Sequence, residues 1–171
     1  FIFIINAYNL IDGIDGLAGS VALLCSLVYG VYFFMNNQVL MVLISFILFG
    51  SVLGFLRFNL SVKRRIFMGD SGSMFVGFLL AYLTLSFVHF NTTNVSSNHI
   101  SNGLIFALAI FSFPILDTLR VIIIRIAHKR SPFIADKNHI HHRLLSYEYS
   151  HKKSTFIIIL VNISIIIFSL I

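Results

Sequence analysis

The sequence predicts an all-α fold, a multispanning transmembrane helical bundle, from three observations. First, 58% of the 171 residues are apolar and only 11% are charged, whereas about 25% of the residues in a soluble domain are charged. Second, the mean hydropathy is +0.95. Third, the apolar residues are gathered into long runs between short polar segments. These features exclude an ordinary soluble domain, a disordered chain and a fibrous protein.

Four apolar runs are long enough to cross a bilayer, which takes about 20 residues per helix. They cover residues 17–35, 39–56, 73–90 and 155–171. A fifth run, 104–126, carries Pro114 and three charged residues in its second half. It therefore predicts a helix that is bent near Pro114 and extends beyond the membrane. The four runs and this bent helix make about five spans in this portion. Residues 1–5 are expected to be the last turns of a further span.

The distribution of basic residues predicts which loops face the cytosol. The 36–38 turn and the 91–102 loop carry no Lys or Arg, whereas residues 57–65 carry four and residues 120–153 carry the other eight. Because Lys and Arg concentrate in cytoplasmic loops, alternate crossings place all twelve on the cytosolic face of a plasma or inner membrane. The net charge of +6 then indicates an anionic membrane surface, not nucleic acid. The five aspartates lie on the same face, and the positive-inside rule does not account for acids.

The first polar motif is NAYNLIDGIDGLAG, residues 6–19. Asp12 and Asp15 are three residues apart, so they share a face if they lie on a first helical turn. Asn6 and Asn9 lie on the turns before them. The alternative is a polar helix start stabilised by capping, but capping needs one acid and does not need the two asparagines. Three glycines allow close approach to a ligand or a neighbouring helix: Gly13, Gly16 and Gly19.

The second motif is FMGDSGS, residues 67–73, directly before an apolar run. A helix N-terminus offers free N–H groups that favour phosphate, and Ser71 or Ser73 could cap the helix. Asp70 would repel a phosphate unless a cation lies between them. A hard cation with oxygen ligands, Mg²⁺ or Mn²⁺, meets that requirement. Plain capping by Asp70 is the alternative.

The third motif is SPFIADKNHIHHRLL, residues 131–145. Three histidines, His139, His141 and His142, lie between Lys137 and Arg143. A structural zinc site would take four ligands, and no cysteine is near. Donors to a phosphate-bearing substrate suit the flanking basic residues better, and ordinary surface histidines are the remaining alternative.

Asp117 is a fourth feature, because an acid within a span is normally paired or faces a polar cavity. Arg120, one helical turn further on, is the simplest partner for it. A role of Asp117 in function is the alternative.

In order and polarity, the three motifs and the FPILD segment around Asp117 resemble the polyprenyl-phosphate N-acetylhexosamine-1-phosphate transferases of glycosyltransferase family 4. The branch that transfers GlcNAc-1-phosphate from UDP-GlcNAc to undecaprenyl phosphate is the most similar. The resemblance covers nearly the whole chain. Members of the family are longer and carry an earlier cytosolic motif with paired aspartates. The resemblance therefore implies that residues 1–171 are the C-terminal portion of a single transmembrane transferase domain.

The resemblance also implies a reaction and its residues. A polyprenyl phosphate attacks a UDP-N-acetylhexosamine and gives a polyprenyl-diphospho-sugar and UMP, for cell-envelope polysaccharide synthesis. Asp70 would bind Mg²⁺ or Mn²⁺, with Asn9 as a second ligand. The catalytic residues implied are Asp12, Asp15, His139, His141 and His142. The substrate-binding residues add Asn6, Asn9, Asp117, Lys137 and Arg143 to these five. A homodimer is left open.

Two other classes of protein are weighed against the enzyme. A multispanning cation transporter subunit would need polar residues near the middle of the bilayer, but the acidic and histidine motifs lie at one end of the predicted spans. A structural membrane subunit would not explain why three motifs converge on one face. The sequence therefore favours a phosphoglycosyl transferase.

Overall fold

The chain folds into α-helices, as seen in a computed structural model that describes residues 1–93, 98–129, 131 and 139–171. Of His141 and His142, the backbone alone is described. All the regular elements in these ranges are helical, which confirms the predicted all-α class. They are α1 (Ile2–Leu10), α2 (Leu17–Met35), α3 (Val39–Asn59), α4 (Gly69–Thr93), α5 (Gly103–Ile110), α6 (Ser112–Ala127), α7 (Ile140–Ser146) and α8 (His151–Phe168).

Four helices, α2, α3, α4 and α8, are long and apolar enough to cross a membrane, and α5 with α6 makes a fifth crossing if the bent pair is one span. The predicted number of spans is confirmed. α2 has the bounds predicted for it, whereas α3, α4 and α8 each continue into polar sequence at the end where the basic loops lie. α1 reaches Leu10 and carries the two asparagines of the first motif.

The bend in the fifth span lies at Phe111, three residues before the predicted position at Pro114. The axes of α5 and α6 meet there at 75°. Proline has no N–H, so the carbonyl of Ile110, four residues earlier, loses its helical donor. The side chain of Asn162 on α8 replaces it, because Nδ2 donates to the Ile110 oxygen at 3.1 Å. Its Oδ1 accepts from the Phe113 N–H at 3.2 Å, so one α8 residue bonds both sides of the break.

Close helix packing and paired polar groups build the interior. A Cβ on Gly19 would lie 2.6 Å from a methyl carbon of Leu56, so this glycine lets α2 and α3 approach closely, as its place in the first motif predicts. Tyr29 is fully buried, and its hydroxyl donates to Thr84 Oγ1 at 3.0 Å. Such pairing is needed because an unpaired polar group in a bilayer costs several kcal/mol.

The connecting segments collect at two opposite ends of the bundle. At one end Asn98 Nδ2 donates to the Met35 carbonyl at 2.8 Å, which joins the outer turn to the predicted outer loop. At the other end Asp15 contacts both Arg65 and His151 at 3.0 Å. The first motif, the basic 57–65 segment and the start of α8 therefore lie at one end of the bundle, as the alternate crossings predict.

Candidate active site

The middle of the first motif, residues 11–16, forms a loop between α1 and α2, so Asp12 and Asp15 do not lie on the first turn of a helix. Gly16 adopts a left-handed conformation with φ +83°, which keeps the residues before it out of α2. Ile11 and Ile14 are buried and anchor the loop against the bundle. Asp12 lies between these two residues and Asp15 directly follows Ile14, and both acids are partly buried.

Asp12 joins the first motif to the second. Its carboxylate lies near the backbone N–H of Gly69, the first residue of α4, and this N–H favours the ionised form of the acid. Asp12 and Asp70 line one cavity of about 300 Å³, together with Asp15, Asn59, Arg65, Phe67 and His151. The convergence of these two motifs on one face is confirmed.

Asp12 and Asp70 repel each other. Burial first, and then the nearby charge of Asp70, raise the pKa of the Asp12 carboxyl from its ordinary value of 3.8 to about 6, although the Gly69 N–H opposes the rise. Asp70 itself is exposed in the first turn of α4. Two carboxylates that disfavour each other's charge are an arrangement that a cation would relieve.

Asp15 has the opposite surroundings. Its Oδ2 lies 3.0 Å from an Arg65 guanidinium nitrogen and 3.0 Å from Nδ1 of His151. Its backbone carbonyl accepts the Thr155 hydroxyl at 3.1 Å. Neither Arg65 nor His151 is predicted as a site residue from the sequence, where one belongs to a basic run and the other is a lone histidine. Their shared predicted face is the signal that points to them.

Asn59 braces the loop from the end of α3. Its Oδ1 accepts the Gly16 N–H at 2.7 Å, and its Nδ2 donates to the Ile66 carbonyl at 2.9 Å. The side chain is buried, with 5% exposed. It fixes the 11–16 loop relative to the segment that carries Arg65 and Phe67.

The two asparagines of α1 lie outside the residues that line the cavity. Asn6 is exposed, and its Nδ2 donates to the Ile2 carbonyl at 2.9 Å within the same helix. Asn9 Oδ1 accepts the hydroxyl of Ser73, which ties α1 to α4. Ser73 lies inside α4, with its hydroxyl also 2.9 Å from the Gly69 carbonyl one turn earlier, so it does not cap the helix. The metal role of Asn9 stays a prediction.

His139 is the described histidine side chain of the third motif. It precedes α7 and is 5% exposed, with Nδ1 2.8 Å from Asp117 Oδ2. Asp117 is fully buried, and Arg120, its predicted partner, lies 4.0 Å away. Arg143 is exposed on α7. Lys137 and the side chains of His141 and His142 lie outside the described residues.

The donor set bears on the predicted metal. Among the described side chains, which exclude those of His141 and His142, no three His, Cys, Asp or Glu residues are grouped closely enough to hold a metal ion. Mg²⁺ is commonly bound by one or two carboxylates together with substrate phosphates. The Asp12–Asp70 pair fits an ion of that kind, one that shares its ligands with a phosphate.

Comparison with known proteins gives a family and several relatives. The profile of glycosyl transferase family 4 matches residues 1–88. A protein of Bacillus subtilis named probable undecaprenyl-phosphate N-acetylglucosaminyl 1-phosphate transferase is 36% identical over 93% of this chain and 42% of its own. A decaprenyl-phosphate N-acetylglucosaminephosphotransferase of Mycobacterium leprae is 38% identical over 92% of this chain and 42% of its own.

A more distant relative comes from Escherichia coli K12. This undecaprenyl-phosphate alpha-N-acetylglucosaminyl 1-phosphate transferase is 29% identical over 91% of the chain and 41% of its own length. The chain therefore spans about two fifths of the length of these relatives. The profile match includes both motifs that meet at the cavity, and it covers more than half of the chain. The chain belongs to glycosyl transferase family 4.

Proposed function

We propose that the protein transfers GlcNAc-1-phosphate from UDP-GlcNAc to a polyprenyl phosphate at the cytosolic face of the plasma membrane. The observation that carries the proposal is the cavity where the first two motifs meet, which is lined by Asp12, Asp70 and Arg65. The names of the relatives support the sugar and the lipid class. The basic loops at the same end of the bundle support a cytosolic site.

In this reaction an oxygen of the polyprenyl phosphate attacks the β-phosphorus of the sugar nucleotide. The bond from that phosphorus to the oxygen bridging the two phosphates breaks, and UMP leaves with that oxygen. The product is a polyprenyl-diphospho-sugar. Reactions between phosphates depend mainly on positioning and on neutralising charge. The acidic and basic residues that line the cavity suit these two tasks.

The acidic residues of the cavity suit a divalent cation. Asp12 and Asp70 would hold Mg²⁺ or Mn²⁺ together with the diphosphate. When bound, such an ion lowers the repulsion between the anionic lipid and the anionic donor. The raised pKa of Asp12 supports this placement, because a cation would favour the ionised form that burial and Asp70 disfavour.

Arg65, the basic residue of the cavity, suits the nucleotide phosphates. A guanidinium has five N–H donors, and the 3.0 Å contact of Arg65 with Asp15 involves one of its two terminal nitrogens. The Arg65 side chain is 42% exposed, so it can reach a ligand in the cavity. The predicted roles of His139, His141, His142, Lys137 and Arg143, which would contact the sugar nucleotide from the α7 side, belong to the same proposal.

The test is the reaction itself, in membranes from cells that express the complete gene. UDP-GlcNAc and polyprenyl phosphate are supplied with Mg²⁺, and both UMP and the lipid-linked sugar are measured. UDP-GalNAc, in a parallel assay, tests the choice of sugar. We expect both products from UDP-GlcNAc and neither after chelation by EDTA. Formation of neither product with UDP-GlcNAc in the presence of Mg²⁺ would refute the proposal.

A further inference from the structure

The buried carboxylate of Asp117 joins α6 to the histidine motif through both of its oxygens. Oδ2 lies 2.8 Å from Nδ1 of His139, and Oδ1 accepts the backbone N–H of Ile140 at 2.8 Å. We propose that Asp117 is a positioning residue, which fixes His139 and the start of α7 for the transfer reaction and does not itself touch the substrate. This inference rests on the proposed function.

The burial of Asp117 is accounted for by these two contacts. A fully buried carboxylate is costly unless its oxygens are hydrogen-bonded. Arg120 is nearest in sequence, but its guanidinium lies 4.0 Å from Oδ1, beyond hydrogen-bonding distance. The groups within that distance come from residues 22 and 23 positions further along the chain. The buried charge is therefore matched to α7.

The contact with His139 defines which ring nitrogen carries a proton. A carboxylate only accepts hydrogen bonds, so Nδ1 of His139 must be the donor. A neutral ring held in this way is basic at Nε2. Carboxylates that bond the far nitrogen of a functional histidine fix its tautomer and its ring orientation in the same manner.

The second contact fixes the direction of the chain. Ile140 is the first residue of α7, so the bond from its N–H to Asp117 sets where this helix begins. The positions of His141, His142 and Arg143 along α7 then follow from the helical rise. One acid on a membrane helix thereby determines the ring of His139 and the placement of the other basic residues.

A double-mutant cycle tests the positioning role in membranes carrying the complete gene product. Asp117→Asn keeps an acceptor for Ile140 but places an amide group against His139. We expect it to lower kcat on the order of 100-fold, as small misplacements of reacting groups do. His139→Asn keeps a donor for Asp117 and removes the imidazole. The double variant should be no slower than His139→Asn alone, because Asp117 acts through His139.

Thr118→Val is the matched control on the same helix. Thr118 is buried, and its hydroxyl has no hydrogen-bond partner within the described part of the chain. The variant should therefore keep the kcat of the unchanged protein. Independent effects of the Asp117 and His139 substitutions, which multiply in the double variant, would overturn the inference.

Chemical modification gives a readout that needs no activity. Diethyl pyrocarbonate modifies accessible histidine rings, and mass spectrometry of peptides locates the modified residue. His139 should react slowly in the unchanged protein and in Thr118→Val, and severalfold faster in Asp117→Ala and Asp117→Asn. Equal rates in all four proteins would overturn the inference. A protein that lacks transferase activity would refute the proposed function, while the modification rates still decide whether Asp117 holds His139.

Discussion

Asp12 and Asp15 belong to one loop, three residues apart, yet their surroundings are opposite. Asp15 lies between Arg65 and His151 at 3.0 Å from each. Asp12 lies near a second acid, Asp70, and the pKa of its carboxyl is raised to about 6 by burial and by that charge. The same residue type therefore has two different electrostatic states within a single cavity.

The difference separates a residue that holds the loop from the two residues that are proposed to hold an ion. The charge of Asp15 is compensated by the protein itself, and its backbone is tied to Thr155. Among the described side chains, no basic group forms an ion pair with Asp12 or Asp70, an arrangement that suits the proposed divalent ion and phosphate. Substitutions around Asp15 and substitutions of the Asp12–Asp70 pair should consequently affect different measured quantities.

Removal of an acid from the Asp12–Asp70 pair should have the largest effect. Asp70→Asn takes one of two carboxylates from the proposed metal site, and we expect transfer to fall about 1000-fold, comparable to losing a group that stabilises transition-state charge. The initial rate of UMP release at saturating Mg²⁺ measures it. Glu148→Gln, which neutralises an exposed acid, is the control and should change little. Near-normal activity of Asp70→Asn would place the ion elsewhere.

A substitution beside Asp15 should act on binding. Arg65→Ala removes the guanidinium from Asp15 and from the cavity, so we expect the KM for UDP-GlcNAc to rise roughly tenfold, about 1.4 kcal/mol. Steady-state kinetics with varied sugar nucleotide separate KM from kcat. Arg64→Ala is the matched control, since Arg64 is exposed and is not among the residues that line the cavity. Equal effects of both substitutions would reduce the role of Arg65 to general surface charge.

The loop itself should depend on Asn59. Asn59→Ala leaves the Gly16 N–H without its acceptor, at a cost of about 2 kcal/mol, and we expect the melting temperature to fall by roughly 4 °C. Thermal unfolding in detergent, followed by the binding of a fluorescent dye or by the loss of soluble protein, measures the melting temperature. Asn6→Ala serves as control because Asn6 is exposed and bonds within its own helix. A melting temperature equal to the control's would contradict the bracing role.

The smallest expected effect is a pH dependence from Asp12. The folded state keeps the Asp12 proton up to about pH 6, whereas the unfolded chain releases it near the ordinary value of 3.8. Folding is therefore favoured at low pH, and this contribution is lost as the pH rises through that window. Because the group is half-exposed, solvent screening leaves a melting-temperature change of roughly 2 °C. It is measured without divalent ions between pH 4 and pH 7.

Asp12→Asn provides the comparison for the pH experiment. This variant has no carboxyl to titrate at position 12, so its melting temperature should vary less over the same window. Added Mg²⁺ should raise the melting temperature of the unchanged protein more at pH 7 than at pH 5. An identical pH dependence in the two proteins would assign the effect to another group.

The spans and the meeting of the first two motifs follow from local sequence. Hydropathy predicts the bounds of α2 because a helix in lipid must satisfy its backbone internally. Alternate crossings place Asp12 and Asp70 at the same end. The different surroundings of Asp12 and Asp15 do not follow, because a spacing of three residues suits one helical turn and the sequence gives no sign of the left-handed Gly16.

Other contacts of the site lack a local pattern. His151 is 136 residues from Asp15, and no spacing rule joins them. For Asp117, the helical i,i+3 relation favours Arg120, whereas the closest partner is His139 from another segment. The break at Phe111 directly follows Ile110, the residue whose carbonyl loses its helical donor to Pro114, so the proline predicts a bend but not its exact position.

The contact of Asn162 with Ile110 has a mechanical consequence. Straightening the fifth crossing would pull that carbonyl away from the Asn162 amide and remove a hydrogen bond in the apolar interior, where an unpaired polar group costs up to several kcal/mol. The bend is therefore tied to α8 on both of its sides, and this tie sets the direction in which α6 carries Asp117 away from α5.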